Sequence, residues 1–219
     1  LVPQYSDVQT RKDIEIDQLL NKVGDYSLPI ISSPMDTITG EDMSIAMNTA
    51  GATAILHRYN TIDEQAKMVM NITSKGHTVG AAIGIGDDFM NRALTLTRSG
   101  VSFLCIDVAH GHHSKVRKAL KELRSDLGDE MHIMAGNVAT LEAFNDLADW
   151  GADSIRVGIG GGSICSTRIQ TGHGMPTLQS VIDCAQSDRD ATLIADGGIR
   201  TSGDIVNALA AGADFVMLG

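Results

Sequence analysis

Aromatic side chains are scarce: 4% of the 219 residues, with a single Trp. A core of this size must then be built from Ile, Val, Leu, Met and Ala, which fits strands buried on both faces better than a sandwich pinned by aromatic corners. Cysteine is nearly absent too, with three residues, Cys105, Cys165 and Cys184. A small odd number gives no disulfide framework and implies a reducing compartment, so a cytoplasmic location is expected. Positive charge is in deficit, the formal net charge being -10. That excludes non-specific binding to nucleic acid or to an anionic membrane surface, both of which need a basic face. It leaves room for a small anion held by backbone amides. No apolar run reaches the length of a membrane span, and no signal peptide opens the chain. Leu1 stands where a methionine would, so residues are expected upstream.

Glycine, by contrast, is plentiful, and much of it is regularly placed. Ala50-Gly51-Ala52, Ser99-Gly100-Val101, Trp150-Gly151-Ala152 and Ala211-Gly212-Ala213 each stand between a helix-like run and an apolar run. A Gly there supplies the left-handed residue that ends a helix, and an aliphatic strand follows. Strands are expected at Pro29–Ser33, Thr53–Leu56, Thr78–Ile85, Phe103–Asp107, His132–Gly136, Ser154–Val157, Thr192–Asp196 and Phe215–Leu218. Helices are expected at Asp42–Ala50, Ile62–Ser74, Asp87–Ser99, Ser114–Leu127, Thr140–Trp150, Thr177–Ala185 and Ser202–Ala211, many after a Thr, Ser or Asp cap. Arg11–Val23 reads as a charged surface lead-in.

Strict alternation at roughly 22 to 29 residues per unit is the repeat of a (β/α)8 TIM barrel, in total about 250 residues. An open doubly wound sheet is the alternative, and the eightfold count favours the barrel. One catalytic barrel domain is expected over residues 1–219, with the eighth helix lying beyond Gly219. Chemistry then belongs at the carboxyl ends of the strands. Ser33, Met35, His57, Asp107, His110, Asn137, Gly158–Thr167, Asp196–Gly198 and Gly219 lie there. Gly197, Gly198 and Gly219 suit the phosphate site that this fold builds after its last two strands, and Asp196 is placed for ribose hydroxyls.

The most informative loop is Val157-Gly158-Ile159-Gly160-Gly161-Gly162-Ser163-Ile164-Cys165-Ser166-Thr167-Arg168. Glycines let the backbone approach a ligand with amides free to donate. A cysteine in such a turn is a candidate nucleophile, because amides and cations favour the thiolate. Cys105 in a strand and Cys184 in a helix are instead expected to be buried packing residues. His110, His112 and His113 lack partners at metal-ligand spacing and are expected on a surface loop. Arg117, Lys121 and Arg124 recur at helical spacing and read as a solvated face.

Ser33-Pro34-Met35-Asp36-Thr37, Ile106-Asp107-Val108-Ala109-His110-Gly111-His112, Ala135-Gly136-Asn137-Val138, the Gly/Cys loop, Ala195-Asp196-Gly197-Gly198-Ile199-Arg200 and Phe215-Val216-Met217-Leu218-Gly219 follow one another in order. In that order they resemble the family of IMP dehydrogenase and GMP reductase. The resemblance implies that Cys165 attacks carbon 2 of a purine nucleoside monophosphate, with Thr167 as proton relay. It implies Ser163, Gly198 and Gly219 at the phosphate, Asp196 at the ribose, and Ser33 and Met35 lining the nucleotide pocket. Asp107, Asn137 and Gly158 would face the nicotinamide. Backbone carbonyls of Gly160, Gly162 and Cys165 would hold a monovalent cation, potassium. A homotetramer is implied as well. Gly161 stands where the family usually has Ser or Pro, which implies a more flexible loop.

Within the family, Ile72–His77 runs straight into the third strand, with no inserted regulatory domain, and Thr171-Gly172-His173-Gly174-Met175-Pro176 resembles the reductase. Both favour a GMP reductase that uses NADPH to convert GMP to IMP and ammonia, and that is the expected function, with IMP dehydrogenase as the alternative. Ala109-His110-Gly111-His112 and Asp196–Arg200 are closer to an IMP dehydrogenase, which would oxidise IMP to XMP with NAD. A purine-nucleotide-binding barrel without turnover is a third reading, against which the retained Cys165 and Thr167 speak. The dehydrogenase's water-activating flap and the reductase's catalytic acid are both expected beyond the eighth strand.

Overall fold

A computed structural model describes all 219 residues. After an exposed lead-in, with one 3-10 turn at Arg11–Asp13, come β1 (Gln18–Leu20) and β2 (Gly24–Tyr26). Eight further strands then alternate with helices: β3 (Ile30–Ser32), α1 (Glu41–Thr49), β4 (Thr53–Leu56), α2 (Ile62–Thr73), β5 (Gly80–Ile83), α3 (Phe89–Arg98), β6 (Phe103–Asp107) and α4 (Ser114–Leu127). The order continues with β7 (His132–Val138), α5 (Leu141–Asp149), β8 (Ser154–Val157), α6 (Thr167–Thr171), α7 (Thr177–Cys184), β9 (Thr192–Asp196), α8 (Ser202–Ala210) and β10 (Phe215–Leu218).

Strands β3 to β10 pair in parallel and close into a barrel, β10 meeting β3 through Val216 and Ile30. Closure rules out the doubly wound alternative. The glycine repeats do what their positions imply. Gly51, Gly100, Gly151 and Gly212 all have positive φ. Behind each, the next amide reaches back to close the helix: Ala52 to Met47, Val101 to Leu96, Ala152 to Leu147 and Ala213 to Ala208. The short α6 is an element the sequence reading did not foresee.

Two apolar layers result. Thirty-two buried residues fill the space between strands and helices. A smaller cluster of eleven fills the barrel itself, including Ile31, Ile55, Phe103, Cys105, Met134 and Phe215. Leu20 and Tyr26 of the β1–β2 hairpin belong to that inner cluster. The hairpin therefore plugs the amino-terminal end of the barrel, with the Tyr26 ring edge-on to Phe215 and its hydroxyl 2.9 Å from Thr78 Oγ1. The expected surface lead-in over Arg11–Val23 is corrected at Leu20, which is fully buried in the inner cluster with Val23 packed against it, while its neighbours Leu19, Asn21 and Lys22 stay exposed. Three-residue strands carry too little periodicity to be read from sequence. The carboxyl end of the barrel stays open for chemistry. No helix is long and apolar enough to cross a membrane.

His132, fully buried at the start of β7, ties the plug to the barrel. Its Nδ1 lies 2.7 Å from the carbonyl oxygen of Asn21, which can only accept, so Nδ1 carries the proton and donates. Nε2 is then free to accept from the Ser154 hydroxyl at 2.8 Å. Burial pushes the imidazole from its ordinary 6.5 down to about 4. The unfolded chain therefore binds this proton more readily than the folded one. Its contribution is fully present above about pH 6.5 and is lost as pH falls towards 4, up to about 3 kcal/mol. Urea unfolding between pH 7 and 4 is expected to show that slope, and His132→Gln, which cannot titrate, to flatten it.

Candidate active site

A cavity of about 900 Å³ opens at the carboxyl ends of the strands. Ser33, Met35, Asp107, Gly162, Ser163, Asp196, Gly198 and Gly219, all singled out in the sequence, line it. Tyr59, Arg156, Arg200, Thr201 and Ser202 line it too and were not foreseen. Cys165, Thr167, Asn137, Gly158 and Gly160 are not in its wall. Cys165 and Thr167 continue the Gly162–Ile164 turn at the rim, while Asn137 and Gly158 lie behind Asp196, held by one Asn137 amide that donates to Gly158 O at 2.8 Å and to Asp196 Oδ2 at 2.7 Å.

Several glycines are required by space. A Cβ on Gly158, whose φ is +144°, would lie 1.9 Å from the carbonyl oxygen of Asp196, so the ends of β8 and β9 approach as only glycine allows. On Gly219 it would lie 2.6 Å from Ser33 Oγ. That hydroxyl is buried without a partner, an acceptor and donor left for a ligand. At Gly161 a Cβ would lie 2.1 Å from Thr177 Oγ1. A side chain at 161 would require the Thr177 hydroxyl to turn away, and the carbonyl oxygen of Gly197 lies 3.3 Å from the same point.

The start of α8 is capped. Thr201 Oγ1 accepts from the Asp204 amide, and the Asp204 carboxylate accepts from the amides of Arg200 and Thr201. The amides of Ser202 and Gly203, the first two of the helix, have no partner within the chain.

Cys165 sits half-buried in the turn, its amide donating to Gly162 O at 3.2 Å. The Thr167 hydroxyl, then the Thr167 and Gly160 amides, hydrogen-bond the sulfur and hold its pKa below the ordinary 9.0, helped by the Arg168 charge and opposed by burial. The other two cysteines are free and buried; burial pushes Cys105 up to about 11 and Cys184 up to about 12. Of the three thiols, Cys165 alone is accessible and shifted towards the thiolate. Of the carbonyls expected to bind potassium, Gly162 O already receives the Cys165 amide. The loop histidines have other work: His112 pairs with Asp146 at 2.8 Å and stacks on Trp150, and His113 caps α4 through the Lys115 amide.

Beneath the cavity lies a charged network that the sequence concealed. Arg156, in the middle of β8 and 6% exposed, forms ion pairs with Asp107 at 2.7 Å and Asp196 at 3.0 Å. Burial opposes its charge, but Asp196 and Asp107 outweigh that and hold the guanidinium well above its usual pKa. Arg58 approaches the other side of Asp107, Nη2 donating to its backbone carbonyl at 3.2 Å.

A family model described as "IMP dehydrogenase / GMP reductase domain" matches residues 1–219. The inosine-5'-monophosphate dehydrogenase of Cryptosporidium parvum is 35% identical over 264 aligned positions, covering 100% of this chain and 65% of its own length. The GMP reductase of Leishmania major is 44% identical over 162 residues, 73% of this chain and 31% of that protein. Among solved structures, inosine 5' monophosphate dehydrogenase from Legionella pneumophila superposes with a TM-score of 0.90 at 46% identity, over 100% of this chain and 66% of that one. The chain thus spans just under two thirds of the Cryptosporidium and Legionella proteins. With the barrel, the ordered motifs and the matched model in agreement, the chain belongs to the IMP dehydrogenase / GMP reductase family.

Proposed function

We propose that the protein is an oxidoreductase acting on a purine nucleoside monophosphate through a covalent adduct on Cys165. The observation that carries this is the Cys165 thiol, its pKa lowered by Thr167 and loop amides, at the rim of a cavity whose wall offers Asp196, Gly198 and Gly219. Asp196 takes the ribose hydroxyls, and amides near Ser163, Gly198 and Gly219 take the phosphate. The Cys165 thiolate adds to carbon 2 of the base, and Thr167 moves the proton of the leaving or entering group. A nicotinamide dinucleotide, when bound on the Asp107 side, accepts or supplies the hydride at that carbon. Asp107 lines the cavity and fits that position. Asn137 and Gly158, behind the wall, support Asp196.

For the direction, dehydrogenation of IMP to XMP with NAD is the reading with more support. The Legionella protein is 46% identical over the entire chain, and Ala109–His112 and Asp196–Arg200 are dehydrogenase-like. The missing insert carries less weight: the dehydrogenase of Nitrosopumilus maritimus aligns to 100% of this chain across 345 positions, so extra internal residues are compatible with end-to-end similarity. The second reading, NADPH-dependent reduction of GMP, is favoured by Thr171–Pro176 and by the Leishmania reductase. Full-length protein incubated with IMP plus NAD, and separately with GMP plus NADPH, is expected to give XMP in the first case. IMP and ammonia in the second, with no XMP in the first, would transfer the assignment to the reductase. Nucleotide binding without turnover in either would leave a sensor.

A further inference from the structure

Arg156 belongs to none of the motifs that mark the site, yet it touches both carboxylates in the cavity wall. Asp107 ends β6 and Asp196 ends β9, and the side chain of β8 spans the distance between them. Its geometry is selective. Nη1 takes Asp107 Oδ1 at 2.7 Å and Nη2 takes Asp196 Oδ2 at 3.0 Å, one oxygen from each carboxylate. Asn137 donates to the same Asp196 Oδ2 at 2.7 Å. Asp196 Oδ1 makes no hydrogen bond within the chain, and Asp107 Oδ2 has only Arg58 Nε, 3.8 Å away. Each carboxylate is clamped through one oxygen, and both acids line the cavity. A planar fork with two donor edges is the group that can do this; an ammonium is a point charge that can face one carboxylate well but not two.

We infer that Arg156 is a positioning residue that aims Asp196 at the nucleotide and Asp107 at the dinucleotide, and so couples the two halves of the site. The inference rests on the ribose and nicotinamide roles proposed above for these two carboxylates. A triad serving stability alone has no need to lie in the wall of the cavity or to leave Asp196 Oδ1 there without a hydrogen bond. With a shared clamp, a change at one acid alters the orientation of the other.

Calorimetric titration of full-length protein with IMP, together with KM for NAD and GMP-independent melting curves, reads this directly. Arg156→Lys is expected to keep a melting temperature within a few degrees of the wild type. It should weaken IMP by roughly tenfold or more and raise KM for NAD, since both acids lose their aim. In the Asp196→Ala background, Arg156→Lys should weaken IMP no further, the non-additivity expected when one residue acts through another. Multiplicative losses, or wild-type affinity in Arg156→Lys, would overturn the inference. If Arg156→Lys does not fold, Asp107→Asn decides: it frees one edge of the clamp and should shift IMP affinity several-fold although Asp107 does not face the nucleotide, and unchanged affinity would refute the coupling. Failure of the wild type itself to bind IMP would overturn the functional reading and this inference with it. An Arg156 variant that binds like a nucleotide-competent wild type would remove the inference alone.

Discussion

Cys165→Ala is expected to lower turnover by roughly 10⁴-fold or more while nucleotide binding survives, the scale seen when a covalent nucleophile is removed. The contacts proposed for Asp196, Gly198 and Gly219 follow other strands and are untouched by this change. The three thiols supply an internal control. Cys105 and Cys184 are buried with pKa values pushed up to about 11 and about 12, whereas Cys165 is half-exposed and lowered by its hydrogen bonds. Alkylation with iodoacetamide at neutral pH should therefore mark Cys165 first, with a pH midpoint below the ordinary 9.0 of a free thiol. Bound nucleotide should protect it. Thr167→Val removes the hydroxyl that contributes most to that lowering and should move the midpoint up. Mass spectrometry of the alkylated peptides checks all three points. Wild-type turnover in Cys165→Ala would sink the covalent mechanism, and equal labelling of Cys105 would mean that the barrel interior is open.

The barrel itself could be read from the sequence because its punctuation is local. A glycine after each of four helices, an aliphatic run after each glycine, and Thr caps on α2, α5 and α8 all act within a few residues. With the strands between those repeats, they count to eight units. The hairpin that plugs the barrel could not be read so, since β1 and β2 have three residues each and only Leu20 and Tyr26 turn inward. The same distinction runs through the site. Residues on glycine loops announced themselves, because so many glycines around Ser163, Cys165 and Thr167 mark a backbone held close to something else. Arg156 did not, because it interrupts a four-residue apolar strand in which every position is buried, and nothing in the sequence tells which way it faces. A signal was present all the same: a lone cation inside an otherwise aliphatic strand has to find carboxylates, and Asp107 and Asp196 end two strands of the same barrel. Gly161 gives the converse case. Its departure from the family pattern reads as freedom in one dimension, and in three it shows a neighbour the sequence did not announce, the Thr177 hydroxyl of α7.

Asp196 brings the site and the scaffold into one prediction, and two separate losses are expected when it is truncated. Asp196→Ala removes the hydroxyl acceptor proposed for the ribose, which should weaken nucleotide binding by about 1.5–3 kcal/mol, the scale of hydrogen bonds to a charged group. It also strips Arg156 of one of its two acids and leaves the Asn137 amide with Gly158 O alone. An uncompensated buried cation costs about 3–5 kcal/mol of stability when its only partner is lost, and Asp107 remains here to moderate that. The melting temperature should therefore fall by several degrees, so binding has to be compared well below it. Asp196→Asn keeps the shape and one acceptor, and is expected to recover most of the stability but little of the ribose affinity. Calorimetry with IMP and with free hypoxanthine separates the two effects. If the ribose reading holds, both variants lose affinity for the nucleotide and neither loses it for the base. Equal losses for both ligands would take Asp196 out of the ribose role and leave it as the acid that keeps Arg156 in the barrel. An unchanged melting temperature in Asp196→Ala would instead show that Asp107 alone suffices to hold the guanidinium.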